Sequence, residues 1–129
     1  MDPVDHFPLV FLVDSPILIP ATPLHREDLE KFRNAPFETM IKFAVDIRSD
    51  RIALGGDMHA DAEAELLRTG SAQEDIWGGN LWPWKEAPQI EFISLINIRP
   101  SADNMGMGIT RDDIRNTALA VVRRWVELP

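Results

Sequence analysis

At 129 residues, with 45% hydrophobic and 26% charged side chains, the chain is long enough for one packed domain and too apolar for disorder. It has no cysteine, which excludes zinc–thiolate sites, redox dithiols and thiol nucleophiles and suits a reducing cytoplasm. A formal charge of −8 repels phosphate backbones and anionic lipid at long range, so nucleic acid is not an expected partner. Arg111, Arg115, Arg123 and Arg124 make no basic patch, because Asp112, Asp113 and Glu127 are interleaved with them. The apolar stretch Phe7–Pro20 is too short to span a bilayer and is interrupted by Asp14 and three prolines, so no membrane association is expected.

In chain order, residues 1–15 form an arm, with an extended segment over 7–13, and residues 16–129 form a single domain. Ile17–Ile19 is a short strand closed by Pro20. Thr22-Pro23 opens a helix, since threonine caps free amides and proline is tolerated in a first turn. Ile41, Phe43, Val45 and Ile47 alternate with polar or small residues, the period of a strand with one apolar face. Ser49-Asp50 turns the chain and Arg51–Leu54 returns as a hairpin, ended by Gly55-Gly56. A helix follows over about 58–69, stopped by Gly70, and Ser71–Glu74 resembles a capping box for another helical turn. Gly78–Pro88 is rich in glycine and proline and is expected to be a loop. Gln89–Arg99, apolar on both faces, is expected to be a central strand. Thr110 and Asp113 then cap a last helix whose stripe is Ile114, Ala118, Val121, Val122 and Trp125. The order β-α-β-β-α-β-α predicts an α+β domain, a ferredoxin-like split βαβ sandwich with an extra C-terminal helix. One sheet face is left for a partner, the arm or that last helix.

Three groups of residues can carry chemistry. His59 and Glu63 lie one helical turn apart and can share a metal, or the carboxylate can orient the imidazole; Asp61 lies between them. The plain alternative is an acidic helix start with one hydrogen-bonded histidine. Trp77, Asn80 and Trp82 belong to an aromatic, glycine-rich segment that can wall a ligand cleft or close the core. Asn97, Arg99 and Asn104 sit at the end of the expected central strand, where they can hold an anion. Their plain alternative is an internal clasp in which Arg99 pairs with Asp46, Asp61 or Glu63.

The run from Lys42 to Arg99 also resembles an uncharacterised bacterial family, a domain of unknown function. The resemblance is carried by Gly55-Gly56 with Met58-His59-Ala60-Asp61 and Glu63, by Gly70–Gly78 with Asn80, and by Ser94–Pro100. It covers most of residues 16–126 and implies that all three groups belong to the family pattern, but it implies no reaction. The arm lies outside it, and Met105–Gly108 lacks the basic or hydroxyl residues of the pattern. The sequence thus leads to a non-enzymatic interaction or ligand-binding module, expected as a homodimer, with a small-molecule ligand as a further possible partner. Such a contact would use an open sheet face, the arm or the Trp82-Pro83-Trp84 loop. The alternative is a small-molecule or metal-dependent enzyme using His59, Asp61, Glu63, Asn97 and Arg99, with no cofactor identified.

Overall fold

The computed structural model describes residues 15–128; the expected extended segment over 7–13 lies outside them. Its centre is a five-stranded sheet of β1 (Ile17–Leu18), β2 (Ile41–Asp46), β3 (Arg51–Gly55), β4 (Ile76–Trp82) and β5 (Gln89–Glu91). The strand order is β1-β3-β2-β4-β5, and every pair is antiparallel. The domain is α+β, as expected. Its order differs from a split βαβ unit, in which two strands run parallel side by side across a helical crossover. Here β1, only two residues long, pairs antiparallel with β3 through Ile17–Gly55 and Leu18–Leu54.

The hairpin β2–β3 forms where alternation placed it, with Phe43 opposite Leu54 and Asp46 opposite Arg51. Its two faces differ in bulk, and this sets the layering. Ile41, Phe43 and Val45 with Ile52, Leu54, Trp77 and Leu81 face the larger core. There they meet Ala118, Val121 and Val122 of helix α2 (Asp112–Trp125), and Leu29 and Phe32 of a 3-10 helix (Arg26–Phe32). The opposite face carries Ala44 and Ala53, small enough for helix α1 (His59–Arg68) to settle on them through Ala62 and Leu66. Helices therefore cover both sides of the sheet. Of the possible covers for the face expected to be left open, the last helix is the one found, packed on the larger core.

Gly55 and Gly56 end β3 at φ +106° and +92°, conformations that glycine reaches without a Cβ clash. The first helix begins three residues later than expected, after His25, whose N–H donates to Asp28 at 2.8 Å. Thr22 does not cap it, because Leu24 is drawn into a bridge with Val126, donating to the Trp125 carbonyl at 2.8 Å. Ser71 likewise caps nothing. Its hydroxyl donates to Asp46 at 2.5 Å, and the following 3-10 turn Gln73–Asp75 has no side-chain cap. Thr110 donates to Asn104 instead of capping α2.

The largest corrections concern the aromatic segment and the run after it. Gly78–Trp82 is not loop; it is most of β4, hydrogen-bonded between β2 and β5. Gln89–Arg99 leaves the sheet after Glu91 and coils into a 3-10 turn at Leu95–Asn97, begun by the Ile96 N–H bonded to the Ser94 hydroxyl at 3.2 Å. Period-two apolarity does not distinguish a strand from an extended segment lying along a sheet edge.

Candidate functional site

Helix α1 starts against the middle of β4, and that junction fixes His59. Its Nε2 lies 2.9 Å from the Gly79 carbonyl and 2.8 Å from Asn80 Oδ1. The Asn80 amide nitrogen donates to Glu91 at 3.0 Å and to the Ile93 carbonyl at 3.3 Å, which settles its orientation. Both groups facing Nε2 are therefore acceptors, so Nε2 carries the proton. Nδ1 is left with no partner among the described residues. Burial holds the His59 pKa below its ordinary 6.5, helped by the Lys42 ammonium and opposed by the bonds to Asn80 and Gly79. The ring is neutral at pH 7, its lone pair on Nδ1.

His59 lines a cleft of about 350 Å³ together with Lys42, Met58, Ile93, Leu95, Ile96 and Met107. Its walls are mostly hydrocarbon and thioether. A larger cleft, about 610 Å³, lies among Pro23, Leu119, Arg123 and Leu128 and contains none of the three groups of candidate site residues. We place the candidate site at the smaller one, where an oriented imidazole and an ammonium meet an apolar wall.

The remaining sequence candidates divide between the fold and a neighbouring cleft. Asp61, in the first turn of α1, ties that turn to the residue before it by accepting the Met58 N–H at 3.0 Å. Asn97, fully buried, serves as the edge partner that β5 does not supply. Its Oδ1 accepts the Gly78 N–H at 2.8 Å, and its amide donates to the carbonyls of Gly78 and Met107, both at 3.0 Å. Asn104 ties the next loop together, donating to the carbonyls of Asn97 and Gly108 at 2.7 and 2.6 Å.

Arg99 is a clasp, but not the one expected. It donates to the carbonyls of Glu74, Ile76 and Ile96 at 3.1, 2.6 and 3.1 Å and lies 4.4 Å from the centre of the Trp77 ring. It makes no ion pair with Asp46, Asp61 or Glu63. Asp46 instead accepts from Arg48, Ser49 and Ser71. Trp77 stands in the core on the sheet face opposite His59, and Trp82 is half-buried with Lys85 5.2 Å over its ring. Neither lines the His59 cleft. The indole N–H groups of Trp77 and Trp84 are buried without a partner among the described residues.

Glu63, one turn beyond His59, lines a second cleft, separated from the first by Leu95 and Ile96. Among the described residues no group of three or more histidines and carboxylates is placed to hold a metal ion. Sequence reasoning missed Lys42, Glu91 and the outward-facing Met58, Ile93, Leu95 and Met107. Only Lys42 left a signal, as the lone cation of β2.

An antiparallel sheet clad on both faces by helices, with a histidine held at an apolar cleft, defines a small α+β domain. Over residues 18–125 the chain matches the family model described as Protein of unknown function (DUF5674), and it belongs to that family. No curated protein and no solved structure matches it. No helix of the described residues is long and apolar enough to cross a membrane.

Proposed function

We propose that this domain is a non-enzymatic binding module that takes a small apolar molecule into the His59 cleft. One observation carries the reading. Of the seven large hydrophobic side chains exposed among the described residues, four (Met58, Ile93, Leu95 and Met107) wall this one cleft. Exposed apolar area gathered at a concavity is the usual mark of a ligand or partner site, and methionines adapt to irregular ligand shapes. The volume suits a compact organic molecule, with Lys42 and His59 Nδ1 offering it a donor and an acceptor. The test is titration with an anilinonaphthalene sulfonate probe. Saturable fluorescence enhancement is expected, weakened about tenfold in Leu95→Asp, where 72% exposure makes the substitution tolerable to the fold. Enhancement that is absent, or unchanged in that variant, would count against the reading.

The homodimer expectation finds support in the same neighbourhood. Leu95 and Met105, 72% and 71% exposed, lie on segments joined by the Ser94 N–H bond to the Met107 carbonyl, and can meet their copies across a two-fold axis. Sedimentation of wild type and Leu95→Asp separates a dimer seam from a ligand cleft. The absence of cysteine supports a cytoplasmic setting. An enzymatic reading has one favouring observation, the Glu91–Asn80–His59 chain, which leaves Nδ1 free to accept a proton from an O–H or N–H in the cleft.

A further inference from the structure

The second cleft, of about 420 Å³, is lined by a carboxylate that no other described residue pairs with. Glu63 is only 9% exposed, yet it takes part in no hydrogen bond or ion pair among the described residues. Its oxygens are not among the fully covered polar atoms, so the charge opens onto the cleft, where an opposite charge can meet it. A cation, Arg99, lines the same cleft and feels the Glu63 and Asp75 charges without pairing with Glu63. Three of the five guanidinium N–H groups are spent on backbone carbonyls, so two remain for another acceptor. Stacking on Trp77 and those three bonds hold the guanidinium rigid. The same cleft has an apolar wall made by Leu95, Ile96, Ile98 and Pro100.

A cleft offering a buried acid, a second and exposed acid in Glu74, a separate base with donors to spare, and a hydrocarbon wall is complementary to a zwitterion with an aliphatic side chain. We propose that this cleft is a binding site for a free aliphatic α-amino acid, its ammonium on Glu63, its carboxylate on Arg99 and its side chain against Leu95, Ile96 and Ile98. The site is distinct from the His59 cleft and does not depend on the function proposed for it. Gln73 and Ser101, also lining the cleft, supply further hydrogen-bonding groups for the ammonium and carboxylate.

The experiment is a methyl-resolved NMR titration of the full chain with three probes that share one isobutyl group: leucine, isoamylamine and 4-methylpentanoate. Leucine is expected to shift the Leu95, Ile96 and Ile98 methyls saturably. The analogues, each lacking one charge, bind about tenfold more weakly or worse, since a charge-assisted hydrogen bond contributes about 1.5–3 kcal/mol. Glu63→Gln keeps the shape and removes the charge, and is expected to weaken leucine by a similar factor. Failure of leucine to saturate, equal binding of isoamylamine, or undiminished binding to a folded Glu63→Gln would each overturn the assignment. The two analogues test it on the unaltered chain, so the conclusion survives if the variant does not fold.

Discussion

Glycines 78 and 79 show how much a single missing Cβ decides. A methyl at Gly79 would stand 2.5 Å from the Phe43 ring and 2.6 Å from the Glu91 carbonyl; at Gly78 it would meet the Ser94 hydroxyl at 2.8 Å. These residues are compact rather than flexible, letting β5 and the Ser94 segment close on β4. Gly79→Ala is therefore expected to destabilise the fold by about 2–3 kcal/mol, measured by urea unfolding. At the same scale, ¹⁵N NMR of His59 is expected to show the proton on Nε2. Replacing Asn80 by Asp would turn the acceptor into a carboxylate and raise the His59 pKa.

Between elements, the seams are made by side chains that imitate backbone. Asn97 supplies Gly78 with an acceptor and a donor where β5 has already ended, so one amide does the work of a strand residue. Asn97→Ala would strand the buried Gly78 N–H and carbonyl, and a loss of about 2–4 kcal/mol is expected, with faster exchange of the Gly78 amide as its local signature. Arg51 joins the hairpin to the end of α1, donating to Thr69 at 2.9 Å, to Ser71 at 2.5 Å and to the Leu66 carbonyl at 3.3 Å. Asp46 completes the seam through Ser71. On the other side of the sheet, α2 is anchored by the Trp125 indole donating to the Asp50 carbonyl at 2.8 Å.

For the whole molecule, two groups at these seams shape how stability depends on pH. Burial alone would raise the Asp46 carboxyl, but its bonds from Ser49, Ser71 and Arg48 outweigh that and hold it below 3.8. The unfolded chain then binds this proton first, so the stabilisation is complete above 3.8 and is lost as pH falls through the lower folded value. His59 follows the same sign nearer neutrality. Its folded pKa lies below 6.5, so stability declines as pH drops from 6.5 through that value and levels off beneath it. Thermal unfolding against pH should show two acid-side declines. His59→Gln should remove the upper one and Asp46→Asn the lower; a variant that leaves its step in place would contradict the assignment.

Periodicity and turn chemistry were enough to read the β2–β3 hairpin, the two glycines that end it, α1, and the α2 stripe from Ile114 to Trp125. Each is a local pattern whose buried face is visible in the order of residues. The pairing of His59 with Asn80 was not visible, nor was the role of Asn97. Both depend on β4 lying between β2 and β5, and β4 is built from glycines and tryptophans that look like a loop until Phe43, Ser94 and Glu91 are seen packed against them. The same closure turns Ile93 and Leu95 outward, so an apparently buried strand becomes the wall of two clefts. Sequence determined which segments could bury an apolar face. Only the tertiary structure decided which polar groups remained without a partner, because satisfaction of a buried N–H, carbonyl or carboxylate depends on neighbours distant in the chain.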